Sequence, residues 1–570
     1  MIPTDAVDAA IAADAEHADP AIWIARVPDH ALRDRACVLE AEGRRDRPLW
    51  GMLVAIKDNI DVAGLPTTAG CPGFAYTPAR NATCVQRLLD AGAIVMGKTN
   101  LDQFATGLVG VRSPYGVPRN VFDDSRVPGG SSSGSAVAVA AGIVPVALGT
   151  DTAGSGRVPA AFGNIVGLKP TIGSVSATGV VPACRSIDTV SVFARDVDQA
   201  LAVARVIAGH DPKDPYSRAA PFDHLRCWAP PGTARVARIR ADGIGREQAA
   251  LYDAACGLYA AQMVDVAPFL AIARLLYDGP WVAERTAALR EVVTHRPEIL
   301  HPITRKILEG GLERRTVDAF DAFHSLANIR LEARRLFAQY DVLLLPTTLP
   351  APTLMEVAAD PIGVNTTLGS WTNFVNLCDF AAIAVPAGFL ADGRPVGVTV
   401  VGPAWSDGRI AAIADAIHRA CAPSAGAART PLPAPAAADL PGSDEVALFC
   451  VGGHMSGLAL NHQITSLGGR LLRPAHTAPV YRLYALGARP GLVRHVQGAA
   501  IAGEVWVLPT ASVGALLVQI PAPLGFGTVT LTDGPCLGFL AEAAATKDAH
   551  DITGHGGWRA WLASGEAPPT

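Results

Sequence analysis

The chain has 570 residues and a mass of 59.0 kDa, enough for about three to five domains or for one large core with an appendix. Half of it is hydrophobic and 17% is charged, so it can bury a large core and wholesale disorder is excluded. Lys and Arg number 47 against 52 Asp and Glu, a formal net charge of -5, which argues against a nucleic-acid binder and leaves small molecules as the expected ligands. The 56 glycines are uneven, and their densest run lies between Gly129 and Gly179.

The N-terminus is acidic and Ala-rich, without the basic region and apolar run of a signal peptide. MLVAIKDNI (Met52–Ile60) is a short β-prone run. Lys57 sits in it beside Val54, Ala55 and Ile56. Desolvation there would lower its pKa and permit a general base, whereas the plainer alternative is pairing with Asp58. Asn81–Ala91 predicts a helix and Ala93–Asn100 the next strand. PGGSSSGSA (Pro128–Ala136) offers hydroxyls and unusual backbone dihedrals, though such a run alone is ordinarily a flexible loop. The longest apolar stretch, Ala136–Leu148, is broken by Gly142 and Pro145 and falls short of the roughly 18–20 residues of a membrane span. Ile143–Thr150 predicts a strand running into GTDTAGSGRVPAA (Gly149–Ala161). Small residues let N–H groups converge there, so those of Thr152, Ala153, Gly154 and Ser155 form a candidate oxyanion hole.

Further on, Gly279-Pro280 opens a helix, with Tyr277 just before it and Arg285 in its second turn. Asp341–Thr347 and Ala381–Gly388 are two more near-continuous apolar strands. Such strands alternating with helices predict an α/β architecture with a buried sheet. Cys421–Ser443 holds five prolines among small residues and predicts a semi-rigid linker. The expected domains are therefore 1–421 and 444–570, joined by 422–443. The second has short strands, including VALFCVGG, YRLYAL, AGEVWVLP and GFGTVTLTDG, and predicts a small α+β or barrel-like domain. The ten cysteines include no C-x-x-C pair and no zinc ligand set, so free thiols in a reducing cytosol are expected.

Lys57, then Ser131, then Ser155, set in GGSSSGSA and DTAGSG, closely resemble the amidase signature family. Gly51–Asp58, GKTN (Gly97–Asn100), GLKP (Gly167–Pro170), Tyr340–Thr347 and Gly393–Pro403 extend the match over residues 20–420 or so. The resemblance implies a mixed central sheet flanked by helices and a Ser–cis-Ser–Lys triad. Ser155 would be the nucleophile, Ser131 a proton relay held by a cis peptide, and a neutral Lys57 the terminal base. Asp151 and Arg157 read as structural charges bracing the turn. Ala153 stands where the commoner motif has Gly, so the turn could differ slightly in shape.

Two further stretches resemble the allophanate hydrolases within that family. One is Leu275–Arg290, where the resemblance implies that Arg285 pairs with a substrate carboxylate and Tyr277 hydrogen-bonds it. The other is Val451–Leu486, which resembles their accessory domain, with a cyclotransferase-like fold. The implied reaction is hydrolysis of allophanate to ammonia and N-carboxycarbamate, then decarboxylation in the C-terminal domain, within urea breakdown. His454 is the candidate proton donor there, with His462 and Glu504 behind it. The implied protein is a cytoplasmic homodimer with a possible functional link to urea carboxylase. The chemistry calls for no metal, flavin or nucleotide, and no nucleic acid or membrane partner. The competing readings are a general amidase for neutral amides, a component of an amidotransferase that works on misacylated tRNA, and a silent scaffold. The complete triad set opposes the last. The acidic charge and the Pro-linked C-terminal domain disfavour the tRNA reading.

Overall fold

The computed structural model describes residues 2–240 and 242–566. It divides into two compact units. The first comprises Met1–Ala220 and Val236–Pro435, and the second Pro221–Arg235 and Ala436–Thr570.

The first unit is built on an eleven-stranded mixed sheet. In chain order its strands are β1 (Trp23–Arg26), β2 (Leu53–Lys57), β3 (Ile94–Thr99), β4 (Val146–Asp151), β5 (Val166–Lys169), β6 (Thr189–Ala194), β7 (Val236–Arg238), β8 (Gln262–Met263), β9 (Val342–Pro346), β10 (Phe380–Phe389) and β11 (Pro395–Pro403). Across the sheet they run β1-β3-β2-β4-β6-β5-β10-β11-β9-β7-β8. The pairs β2–β3, β2–β4, β7–β8 and β7–β9 are parallel, and the other neighbours are antiparallel. Every residue of β2, β3, β4, β5, β6 and β9 is buried. This is why those strands read as unbroken apolar runs and not as alternating ones. The predicted strands at Met52–Ile60, Ala93–Asn100, Ile143–Thr150, Asp341–Thr347 and Ala381–Gly388 correspond to β2, β3, β4, β9 and β10. The helix expected at Asn81–Ala91 is Thr83–Asp90.

The serine-glycine run is no flexible loop. Ser133–Ala140 forms a helix with all eight residues buried. Its small side chains follow from that burial: a Cβ on Gly134 would lie 2.4 Å from the Ile22 carbonyl oxygen. Among the described residues no helix is long and apolar enough to cross a membrane. All ten cysteines are free, most of them buried or half-buried and Cys37 exposed.

The second unit is α+β. Its five-stranded sheet runs Arg470–His476, Ala502–Pro509, Glu445–Cys450, Gly534–Ala541, Leu524–Leu531. A three-stranded sheet joins Arg489–Arg494, Tyr481–Leu486 and His550–Asp551. Short helices at Asn461–Thr465, Val513–Leu517 and Trp558–Ser564 complete it. The segment Pro221–Arg235 belongs here despite its early place in the chain. Trp228 packs edge-on against Trp506 at 5.8 Å, and the Ala229 N–H donates to the Leu471 carbonyl at 2.9 Å. Upstream of Ala436, the predicted linker pairs Ser424–Ala425 with Thr430–Pro431 as two short antiparallel strands.

If Pro221–Arg235 is structural in the second unit, Trp228→Ala should destabilise that unit by about 2 kcal/mol, the value of one large apolar side chain. Hydrogen exchange should then quicken in Ala502–Pro509 and stay unchanged in β2 and β4.

Candidate active site

Lys57 ends β2 and is fully buried. Its Nζ donates to Ser131 Oγ and to Thr150 Oγ1, each at 2.8 Å. The Gly130–Ser131 peptide is cis. The alternative pairing of Lys57 with Asp58 is not formed, because Asp58 is held by Lys98 at 2.9 Å and by the Thr68 N–H and hydroxyl. Burial lowers the Lys57 pKa from 10.5 to about 7 and outweighs the opposing fields of Asp102, Asp151 and Asp188, while Arg285 adds to the lowering. A substantial share of neutral amine is therefore present near pH 7.

Ser155 is buried in the turn that follows β4. An acidic group, Asp151, shapes that turn. Asp151 forms a two-pronged pair with Arg157, Nε to Oδ2 and Nη2 to Oδ1, both 3.0 Å and fully buried. Asp151 also accepts the N–H groups of Gly154 at 2.9 Å and Gly156 at 3.0 Å. Burial acts to raise its pKa, but Arg157, Lys169 and the Gly156 N–H together hold it below the usual range. Arg157 Nη2 reaches on to Thr372 O and Asn376 Oδ1, and Thr372 Oγ1 donates to Ala153 O at 2.6 Å. The bracing role read for Asp151 and Arg157 is the one this geometry supports.

The candidate oxyanion hole needs correction at one position. The Gly154 N–H points back to Asp151, so its hydrogen is already engaged. Among the described residues, the N–H groups of Thr152, Ala153 and Ser155 have no protein acceptor and remain as donors. Gly154 has another reason to be glycine: its φ is +121°, and a Cβ would lie 2.4 Å from Thr372 Oγ1. Ala153 is not among the residues with positive φ, so alanine fits there without cost.

Tyr277 and Arg285 come together beside this constellation. Arg285 lies in the helix Trp281–Ala288, is 1% exposed, and is no solvated surface arginine. Its guanidinium stands 5.3 Å from the Tyr277 ring centroid. Nη1 makes two long bonds, to Ala105 O at 3.4 Å and Thr106 Oγ1 at 3.3 Å. Nε, Nη2 and the Tyr277 hydroxyl are buried with no protein partner. Burial pushes the Tyr277 phenol up, so it stays protonated as a donor. Unmet buried donors on a cation and a phenol make a receptor for a small anion with planar oxygens.

Several contributors were not singled out from the sequence. Thr150 is the second hydroxyl on Lys57. Asp102 orders the Ser131 side, since its N–H donates to Ser131 O at 3.0 Å while its carboxylate accepts the Gly110 and Arg112 N–H groups. Asp188 is half-buried, accepts from Thr152 Oγ1 and the Ala183 and Cys184 N–H groups, and is raised by desolvation to about 6. An acid just ahead of the apolar run of β6, in SIDTVSVFA, was the available signal.

In the second unit His454 is 8% exposed and stacks on Phe539 at 4.8 Å. Its Nε2 meets Gln463 Oε1 at 2.9 Å, and it lines a cavity of about 640 Å³ with Leu458, Pro490, Ile520 and Trp558. Burial lowers its pKa, with Gln463 opposing and His462 reinforcing the shift. His462 is exposed, its Nδ1 near Ala459 O. Glu504 accepts from Ser456 N and Oγ, Trp506 Nε1 and Arg559 Nη2. A carboxylate so saturated is a brace and has no free oxygen for proton transfer.

A buried lysine on a cis-peptide serine, a serine turn with free amides and an α/β core define a serine hydrolase site of the kind that cleaves amides. Residues 6–411 match the amidase family, and the chain belongs to it. Residues 446–563 match the allophanate hydrolase C-terminal domain. The chain is 41% identical to the urea amidolyase of Saccharomyces cerevisiae over 568 residues, covering 95% of this chain but 31% of that protein. It thus spans about a third of the length of that relative. The allophanate hydrolase of Kluyveromyces lactis superposes with a TM-score of 0.79 at 39% identity, over 99% of this chain and 97% of that one. A glutamyl-tRNA(Gln) amidotransferase component from Deinococcus deserti is 37% identical, over 65% of this chain and 83% of that protein.

Breaking the Asp151–Arg157 pair leaves a buried charge. Arg157→Ala should cost about 3–5 kcal/mol, measured by denaturant unfolding, whereas Arg33→Ala at an exposed pair should cost under about 1 kcal/mol.

Proposed function

We propose that the chain hydrolyses allophanate to ammonia and N-carboxycarbamate in its first unit and promotes decarboxylation of that product in its second. The observation that carries this reading is the unmet donor set of Arg285 and Tyr277, with Arg285 close enough to act on the Lys57 amine that is bonded to Ser131. A general amidase for neutral amides has no use for a buried cation with an empty edge. The pairing of an amidase domain with an allophanate hydrolase C-terminal domain supports the same reading. The tRNA-amidotransferase relative aligns with about two thirds of the chain, and nothing in the site favours that alternative.

The proposed steps are these. The substrate carboxylate lies against Arg285 Nε and Nη2 and the Tyr277 hydroxyl. Ser155 Oγ attacks the amide carbonyl carbon as its proton passes through Ser131 to neutral Lys57. The carbonyl oxygen, now negative, accepts from the amides of Thr152, Ala153 and Ser155. Lys57 returns the proton through Ser131 to the leaving nitrogen, ammonia departs, and an acyl-serine remains. Water then attacks the acyl carbon by the same proton route and frees N-carboxycarbamate. In the second unit, His454 would give a proton to the nitrogen as carbon dioxide leaves. Burial makes its protonated ring a stronger acid, which favours that transfer once a proton is loaded.

The protein would work in the cytoplasm after an ATP-dependent carboxylation of urea. Ten free cysteines fit a reducing compartment. We also propose a homodimer. The helix Thr316–Gln339 exposes Val317, Phe320, Phe323 and Leu331, an apolar strip that a second copy would cover. Light scattering should give twice the chain mass, and Phe320→Glu should halve it.

Ammonia release from allophanate tests the reading. Ser155→Ala should lower kcat by a factor on the order of 10⁶. Arg285→Ala should raise KM on the order of 100-fold, the value of a charged hydrogen-bond pair. An unchanged KM would remove the carboxylate clamp.

The pH dependence follows from Lys57. Its pKa in the fold is below that of the unfolded chain, so its neutral form prevails above about 7. Activity should rise with pH through about 7 and fall roughly tenfold per unit below it. By linkage, the stability this group contributes is full above its unfolded pKa and is lost as pH falls toward about 7. A flat kcat/KM between pH 5 and 9 would contradict the role assigned to Lys57.

A further inference from the structure

One loop grips both halves of the proposed site. Cys184–Asp188 immediately precedes β6. On one side it holds the oxyanion turn. The Asp188 carboxylate accepts the Thr152 hydroxyl, and it accepts the N–H groups of Ala183 at 2.7 Å and Cys184 at 3.0 Å. The Ile187 carbonyl accepts from Asn376 Nδ2 at 3.0 Å, and the same nitrogen reaches Asp151 O at 2.8 Å. On the other side the loop holds the helix that carries Arg285. Ser186 N and Oγ donate to the two carboxylate oxygens of Glu284, each at 2.7 Å. Cys184 Sγ lies 3.4 Å from Trp281 O at the start of that helix.

Two contacts on one helix turn fix its rotation as well as its position. Glu284 is the residue before Arg285, so anchoring its carboxylate at both oxygens sets the direction in which the neighbouring arginine leaves the helix. Arg285 needs that help. Its own bonds to Ala105 and Thr106 are long, and a free arginine samples many rotamers.

We propose that the Cys184–Asp188 loop sets the span between Arg285 and the oxyanion turn. Ser186 and Glu284 act as positioning residues that select amides whose carboxylate lies at one fixed distance from the scissile carbonyl. The inference rests on the reading of Arg285 as a carboxylate clamp. The substrate class it defines is the short amide in which a single atom separates the amide carbonyl from the carboxylate. Each added methylene moves the carboxylate off the guanidinium edge.

The test compares kcat/KM for malonamate with that for succinamate, which is one methylene longer, in the intact chain. Ser186→Ala and Glu284→Gln should each lower the preference for malonamate about tenfold, within the range that one methylene commands. Ser186→Thr keeps the hydroxyl and should restore most of the preference. In an Arg285→Ala background, Ser186→Ala should lower the preference no further, because the loop acts through the arginine. If both substrates slow equally in Ser186→Ala and Glu284→Gln, the loop is merely structural and the proposal is overturned. If Arg285→Ala itself leaves the preference intact, the clamp reading fails first.

Discussion

A primary amine buried at the end of an inner strand dominates this structure. Lys57 stands at the end of β2, between β3 and β4, where every strand residue is buried. In water it would be charged at neutral pH, and inside the core its charge is costly. The usual remedy is a carboxylate partner. Here the nearby carboxylates are committed elsewhere. Asp58 is held by Lys98, Asp151 by Arg157, and Asp102 by the Gly110 and Arg112 amides. Lys57 meets two hydroxyls instead. The base role proposed for Lys57 would therefore be a consequence of how the surrounding charges are paired.

That arrangement explains why so much of the site consists of braces. The Asp151–Arg157 pair fixes the turn that carries Ser155 and keeps Asp151 from neutralising the lysine. Asn376 and Thr372 tie the same turn to a distant part of the chain. The turn keeps amides of Thr152, Ala153 and Ser155 outward while Gly154 folds inward onto Asp151. The proposed mechanism needs this division: committed charges around an uncommitted amine, and free amides beside Ser155.

The sequence exposes the chemistry more readily than its support. Fully buried strands announce themselves as apolar runs, which is why β2, β4, β9 and β10 can be found by inspection. Lys57, Ser131 and Ser155 are legible from their order and spacing. Arg285 gains meaning from the resemblance of its segment, and its burial with unmet donors then supports the proposed receptor role. Less can be read where partners are remote. Asn376 reaches Asp151 across 225 positions, and Asp188 reaches Thr152 across 36. No local pattern encodes such contacts. The engagement of the Gly154 amide was closer to hand, since an Asp three residues before a Gly commonly accepts its N–H. The attachment of Pro221–Arg235 to the second unit depends on Trp228 finding Trp506, and that pairing also has no local signature.

The ionisation of Lys57 is the most direct test of this account. Lysines labelled with ¹³C at Cε can be titrated by NMR, with Lys57→Met assigning the resonance. The account predicts a midpoint near 7, well below ordinary lysines. A midpoint near 10 would mean that the amine is charged at rest, and the proposed base would then be absent.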